Sequence, residues 1–226
     1  VLMPEDPFIT VNMHYHKQTG PDTAVYDDTR AGFEFYKDGA VIDHVVETNL
    51  LPHSGWTIPP GDPNFEVNNT HAFDEDVFLL SMGPHMHYRG KAMRYELEYP
   101  DGEMETLLWV PKYDFNWQFL YEYKEPKFIP AGSTLHMSWW FDNSANNRFN
   151  PDPAAAVVYG PETTDEMANA RIYYAPTTPQ GIVVGKEIPA EVLARARADE
   201  DRRRASAART GAGHEPPPDD PSWLDH

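Results

Sequence analysis

Apolar and polar residues alternate along much of the chain, and this period of two is the feature that most constrains its fold. In residues 93–99 every second side chain is apolar, and Pro100-Asp101-Gly102-Glu103 then forms a turn before residues 104–110 run back. The same alternation recurs in residues 115–123 and 134–141. Short alternating segments with proline and glycine turns between them predict an all-β fold, an antiparallel jelly-roll-like β-sandwich.

Further strands are expected in five shorter segments. These segments are residues 8–16, 30–36, 77–82, 156–159 and 171–174. The composition changes near the C-terminus, where residues 187–209 are rich in Ala, Arg, Asp and Glu. This region predicts a charged C-terminal helix with Pro189 in its first turn. Residues 211–226 are rich in Pro and Asp and are predicted to be a disordered tail.

Composition excludes several classes of protein. The 226-residue chain contains no cysteine, so it has no disulfide framework, cysteine nucleophile, iron–sulfur cluster or thiolate zinc site. Its formal net charge of −18 repels a phosphate backbone, and we therefore expect no nucleic-acid partner. No run of about 18 apolar residues is present, so we expect no membrane span. The sequence also lacks a P-loop, a dinucleotide fingerprint and a hydrolase nucleophile elbow.

Two His-x-His pairs are the first candidates for chemistry. They are His14 with His16, and His85 with His87. On a strand, residues i and i+2 point to the same face, so their two imidazoles can converge on one metal ion. The second pair follows the predicted strand 77–82 and is therefore expected at the rim of the sandwich. Two solvent-facing histidines on a polar strand face are the more common explanation of this spacing, so the pairs alone are weak evidence for a metal site.

Other patterns leave alternatives open. The acidic groups Asp27-Asp28, Asp74-Glu75-Asp76 and Asp165-Glu166 offer oxygen ligands for a hard cation, but none has the spacing of an EF-hand, and solvated turns account for them as well. The alternating aromatic residues suit either a sugar-binding platform or the core of a sandwich. A carbohydrate- or protein-binding sandwich with incidental histidines is therefore a rival interpretation.

Four segments, in order along the chain, resemble one enzyme family. They are Asn12-Met13-His14-Tyr15, Trp56-Thr57-Ile58-Pro59-Pro60-Gly61, the run from Pro84 to Lys91 that contains His85-Met86-His87, and the run Thr163-Thr164-Asp165-Glu166-Met167-Ala168-Asn169. Together they are similar to the copper type II, ascorbate-dependent monooxygenases, the family of peptidylglycine α-hydroxylating monooxygenase and dopamine β-monooxygenase. The strings Tyr113 to Gln118 and Asn150 to Pro153 suggest its bacterial branch. The resemblance covers about residues 8–176.

The resemblance implies a set of metal ligands. In the family, the copper of the second domain is held by two histidines and a methionine, which match His85, His87 and Met167 here. His14 matches one of the three histidines of a second copper site in the first domain. The two other histidines of that site form an adjacent pair, and this sequence contains no His-His. Imidazole accepts both oxidation states of copper, and a soft thioether favours Cu(I).

Two positions depart from the peptide-amidating members of the family. An arginine that holds the substrate carboxylate in those enzymes is replaced by Gly83, and a tyrosine four residues after the methionine is replaced by Arg171. The asparagine two residues after the methionine is retained as Asn169. Asn169 and Arg171 are therefore the candidate substrate-binding residues, while peptide amidation is not expected.

The resemblance also sets expectations for the organisation of the chain. Residues 1–36 would be the end of a truncated first domain, residues 37–180 a second, catalytic-type copper domain, and residues 181–226 a helical and disordered tail. The expected activity is hydroxylation of a C–H bond with dioxygen and ascorbate or another reductant. Its substrate would be a small molecule or peptide, its partner the upstream domain, and its location periplasmic or secreted. A non-enzymatic copper-binding module is the alternative within the same family.

Overall fold

A computed structural model of the chain describes residues 28–186, 188–194 and 198. It contains twelve strands in these residues, and their bounds follow in chain order. They are β1 (Val41–Ile42), β2 (Glu47–His53), β3 (Thr57–Ile58), β4 (Phe65–Ala72), β5 (Val77–His85), β6 (Gly90–Glu98), β7 (Met104–Val110), β8 (Tyr121–Ile129), β9 (Thr134–Phe141), β10 (Val157–Val158), β11 (Ala168–Pro176) and β12 (Ile182–Val183).

The strands form two four-stranded antiparallel sheets. One sheet has the order β2-β11-β5-β8 and the other the order β4-β9-β6-β7, while two short ladders pair β1 with β12 and β3 with β10. The alternating residues of 93–99 and 104–110 form the β6–β7 hairpin as predicted. In its turn Gly102 has φ 86°, and Asp101 Oδ1 accepts a hydrogen bond from the backbone of Glu103. The predicted all-β sandwich is confirmed.

The core lies between the two sheets. Trp139 and Phe141 of β9 are fully buried, as are Leu79 of β5 and Ile172 of β11. Trp139 and Phe141 come from the alternating segment 134–141, whereas β5 and β11 are buried along most of their length. Burial of a large apolar side chain contributes about 1.5–3 kcal/mol, which makes this shared layer the main source of stability.

Two of the predicted strands are wrong. Residues 30–36 form no strand and are exposed. Residues 115–120 form a loop, and β8 begins only at Tyr121. The reason lies in Asp114, whose Oδ1 accepts the backbone N–H of Asn116 while its carbonyl accepts that of Trp117. This local turn competes with the sheet ladder and diverts the chain despite its alternating aromatic residues.

The described part of the C-terminal region is short. Residues 190–194 are helical, and Val192 and Leu193 donate backbone hydrogen bonds to the carbonyl of Pro189. The predicted helix over residues 187–209 is therefore not confirmed, because most of it lies outside the described residues, as do the tail 211–226, His14 and His16. Within the described residues, no helix has the length and apolar character needed to cross a bilayer.

Gly90 provides the first testable prediction. A Cβ atom at this position would lie 2.6 Å from Cβ of Met86 and 2.8 Å from Cδ1 of Tyr113. Gly90→Ala is therefore expected to lower the free energy of unfolding by about 1–3 kcal/mol, measured by urea denaturation, because a packed backbone must move. Gly32→Ala is the matched control, since nothing lies within 4 Å of its added atom. Equal stabilities of the two variants would contradict this packing.

Candidate metal centre

His85 and His87 lie at the rim of the sandwich, as their position after a strand predicts. His85 is the last residue of β5, and His87 precedes a turn in which Gly90 donates its N–H to the carbonyl of His87. The two imidazole centroids are 5.3 Å apart. Met86 between them points into the core and is fully buried. The alternation of the chain thus places both rings together outside the core.

A buried tyrosine fixes the backbone between the two histidines. The hydroxyl of Tyr113 donates to the carbonyl of Met86 at 2.8 Å and accepts the N–H of Met86 at 3.1 Å. Burial raises the pKa of Tyr113 above its ordinary value, so the hydroxyl keeps its proton. This double contact anchors the His85-Met86-His87 backbone to the loop between β7 and β8.

Hydrogen bonds determine the tautomer of His85. Gln118 donates through Nε2 to the carbonyl of Phe115 at 2.9 Å, which leaves its Oε1 facing Nδ1 of His85 at 2.6 Å. An amide oxygen only accepts, so Nδ1 of His85 carries the proton. Its Nε2 then carries the lone pair that a metal needs.

His87 has a corresponding arrangement. Its Nδ1 lies 3.3 Å from the backbone carbonyl of Asp165, which is also an acceptor. His87 is 5% exposed, and its ring packs edge-on against Phe115 with centroids 6.1 Å apart. Both histidines therefore have the second-sphere acceptor that is typical of metal-bound imidazoles.

Met167 is brought to the histidines by strand register. Asn169 of β11 pairs with His85 of β5, so Met167, two residues earlier, precedes β11 at the same edge as His87. The Met167 side chain is half-buried, and its Sδ accepts a hydrogen bond from Nδ2 of Asn169 at 3.2 Å. The hydroxyl of Tyr159 in turn donates to Oδ1 of Asn169 at 3.0 Å.

Glu166 joins the two segments that carry these side chains. Its Oε2 accepts the N–H of His87 at 2.7 Å and that of Met167 at 3.3 Å, and its Oε1 accepts the N–H of Arg89 at 2.5 Å. Burial raises the pKa of Glu166 to about 8, although these N–H groups and the Arg89 guanidinium oppose the shift. One carboxyl group thus fixes His87 and Met167 relative to each other.

Arg89 completes the buried support. Its Nε donates to Oδ1 of Asn143 at 2.8 Å, and an end nitrogen donates to the carbonyl of Thr164 at 2.8 Å. Asn143 continues the network to the carbonyls of Pro59 and Ala155. Burial lowers the pKa of Arg89, with Glu166 as the largest opposing influence. The buried Arg89 and Glu166 hold the loop after β5 against the segment before β11.

The two candidate substrate residues differ in exposure. Asn169 is 4% exposed, and its amide already contacts Tyr159 and Met167. Arg171 is exposed and pairs across the ladder with Gly83, where an added Cβ would lie 3.6 Å from Cβ of Arg171. The absence of a side chain at Gly83 therefore leaves the Arg171 stem beside the strand that ends in His85.

The donor set fits a soft, redox-active ion. Within residues 28–186, 188–194 and 198, no three His, Asp or Glu side chains are grouped to hold a metal, so the acidic clusters do not form a hard-cation site there. Two imidazoles with their Nδ1 atoms bonded, and a thioether on the segment that precedes the neighbouring strand, match the ligand preferences of copper instead.

Comparison with known families agrees with this donor set. The sequence matches the family described as copper type II ascorbate-dependent monooxygenase, C-terminal domain, over residues 44–194. The chain belongs to this family. The matched region contains both sheets and the histidine, methionine and glutamate segments, so the suggested family membership is confirmed, whereas its bacterial branch is not.

Comparisons with curated proteins and with solved structures do not identify a family. No curated protein matches the sequence. Similar solved structures include the infectious bursal disease virus VP2 subviral particle, at 8% identity and a TM-score of 0.27, which covers 71% of this chain and 49% of that one. Another is infectious bursal disease virus Gt strain, at 13% identity and a TM-score of 0.19, covering 74% of this chain and 50% of that one. The chain spans about half the length of these viral structures.

Three supporting residues were not singled out from the sequence. Tyr113, Gln118 and Glu166 all lie within the strings that carry the resemblance, but the sequence suggests no supporting contact for any of them, and it offers Glu166 only as an oxygen ligand for a hard cation. Each role depends on a contact between residues that are far apart in the sequence. Tyr113 is 27 residues from Met86, Gln118 is 33 residues from His85, and Glu166 is 79 residues from His87. Only the fold brings such positions together.

Proposed function

We propose that this chain binds one copper ion through His85, His87 and Met167 and forms the catalytic half of a monooxygenase. The observation that supports the proposal is the common anchoring of His87 and Met167 by Glu166, with His85 oriented by Gln118. In this proposal, these contacts would hold the segments that carry two nitrogen donors and one sulfur donor at one edge of the sandwich. Bound copper would supply the one-electron chemistry that activates dioxygen.

The residues of the chain have distinct tasks in this proposal. His85 and His87 hold the ion in either oxidation state, and Met167 favours its reduced form. Asn169 acts through the Met167 sulfur, because its amide is buried and already bonded. Arg171, on the strand next to His85, presents a cation for an anionic group of the substrate.

The wider organisation is also part of the proposal. Residues 37–180 form the copper domain, residues 1–36 belong to the end of a first domain, and residues 181–226 are an appendage. His14 would then contribute to the second, electron-donating copper site of the complete protein. Members of the family typically work outside the cell or in the secretory pathway, and we propose a periplasmic or secreted location for this protein.

The activity is tested by oxygen labelling. The copper-loaded chain, with its upstream domain, is supplied with ascorbate, ¹⁸O₂ and a panel of small carboxylates and peptides. A product that gains one ¹⁸O atom, and is absent with His85→Ala, is the expected result. Tightly bound copper with no labelled product from any substrate would favour a non-enzymatic copper-binding module instead.

Gln118 provides a more local prediction. Gln118→Leu removes the acceptor of the His85 Nδ1 proton, and we expect the affinity for Cu(I) to fall by about 10–100-fold, measured by competition with a chromogenic chelator. Gln118→Glu keeps an acceptor at this position and is expected to retain most of the affinity. If both variants bound copper as tightly as the parent, His85 would not depend on this contact.

A further inference from the structure

A pocket of about 230 Å³ opens beside His87, on the loops that follow β7 and β9. Its walls include the rings of Tyr88 and Phe115, which pack edge-on with centroids 5.0 Å apart. Pockets for drug-sized ligands are usually about 300–1,000 Å³, so this pocket suits a smaller molecule, about the size of one sugar ring. Of the three proposed copper ligands, His87 lines this pocket.

The pocket contains one cation that is available to a ligand. The guanidinium carbon of Arg148 lies 4.5 Å from the ring centroid of Phe149, and no ion pair of Arg148 is found within the described residues. Lys91 is the other cation of the pocket, but its ammonium donates hydrogen bonds to the carbonyl of Pro63 and to Oδ1 of Asn64. Arg148 is exposed, and its guanidinium offers the paired N–H donors that suit a planar anion.

The pocket also contains acceptors for hydroxyl groups. Asp114 and Asp142 each use Oδ1 for a local backbone N–H, from Asn116 and Ser144 respectively. Among the described residues, no hydrogen bond reaches the Oδ2 atom of either aspartate, and Asn116 and Asn146 line the same space. A simple carboxylate ligand would gain nothing from two aspartates, and a neutral sugar would gain little from an arginine. A ligand that is both polyhydroxylated and singly negative uses both features.

We infer that this pocket binds the ascorbate monoanion, with its charged ring face against Arg148 and its hydroxyls on Asp114 and Asp142. The inference rests on the proposed copper site, because ascorbate at this position would lie beside His87. With oxidised copper bound at the site, the monoanion would supply one electron to it and release its remaining acidic proton to water. It leaves as the ascorbyl radical anion, so charge and electrons balance.

Binding is tested on the metal-free full-length chain under nitrogen, with saturation-transfer NMR during titration of L-ascorbate. We expect saturable binding that Arg148→Gln weakens about tenfold, whereas Arg30→Gln leaves it unchanged. Arg30 is the matched control because it is an exposed arginine already paired with Asp28. Methyl glucoside, which is neutral, is expected not to displace ascorbate. Displacement by the glucoside, equal binding by Arg148→Gln, or no binding to the parent would each overturn the assignment.

Reduction kinetics give a second readout. When the chain is loaded with Cu(II), Arg148→Gln is expected to slow reduction by ascorbate several-fold, without changing reduction by a neutral hydroquinone. An equal effect on both reductants would overturn a direct role in ascorbate docking. Copper uptake by the same samples separates the two proposals. Normal uptake without ascorbate binding overturns only the pocket, whereas ascorbate binding without copper uptake supports the pocket and overturns the copper site.

Discussion

Glu166→Ala is expected to lower the free energy of unfolding of the metal-free chain by about 3–5 kcal/mol. The substitution removes the acceptor of three backbone N–H groups, those of His87, Arg89 and Met167, and leaves the buried Arg89 without its nearby carboxyl group. Each unsatisfied buried donor costs about 1–3 kcal/mol, so the losses together produce a large effect. Urea denaturation followed by tryptophan fluorescence measures it.

Two companion variants make this result specific. Glu162→Ala changes an exposed glutamate of the same segment and is expected to alter stability by less than about 0.5 kcal/mol. Glu166→Gln keeps one acceptor oxygen and is expected to fall between the parent and Glu166→Ala. A loss below about 1 kcal/mol for Glu166→Ala would show that the carboxyl group does not hold the two segments together.

Replacing both histidines is the second large expected effect. The His85→Ala, His87→Ala double variant is expected to retain less than about a tenth of the copper that the parent holds after Cu(I) loading and dialysis, because a thioether alone binds the ion weakly. Neither side chain belongs to the apolar core between the sheets, although His87 is buried, so circular dichroism checks that the variant keeps its fold.

His136→Ala is the control for this experiment. His136 lies on β9 in the other sheet and contacts Glu98 through Nε2 at 2.8 Å, so its loss should not change copper uptake. Unchanged copper content in the double variant would place the metal elsewhere, and a large loss in His136→Ala would indicate non-specific binding to surface histidines.

Much of the fold follows from local patterns that need no tertiary information. Residues 93–99 of the β6–β7 hairpin alternate, and the Pro-Asp-Gly-Glu turn supplies both a positive-φ glycine and a side-chain acceptor. The rim position of His85 and His87 likewise follows from their place after an apolar strand. In these segments local preference and the final structure agree, so the sequence is sufficient.

The failures occur where a second influence competes with alternation. Residues 115–120 have the aromatic alternation of a strand, yet the turn at Asp114 diverts them towards His85 and His87. Residues 30–36 also alternate but pair with no strand, so periodicity alone does not make them a sheet. The hydrogen bonds that hold the candidate site join residues that are far apart in the sequence. Nothing near Glu166 in the chain indicates that its carboxyl group accepts the backbone of His87.

The central claim is that two histidines and Met167 hold one copper ion. X-ray absorption of the Cu(I)-loaded chain after dialysis, compared with Met167→Ile, tests it most directly. We expect about one copper per chain with a sulfur scatterer in the parent spectrum, and loss of that scatterer in the variant with the imidazole contribution retained. Copper lost on dialysis, or a parent spectrum without sulfur, would contradict the account.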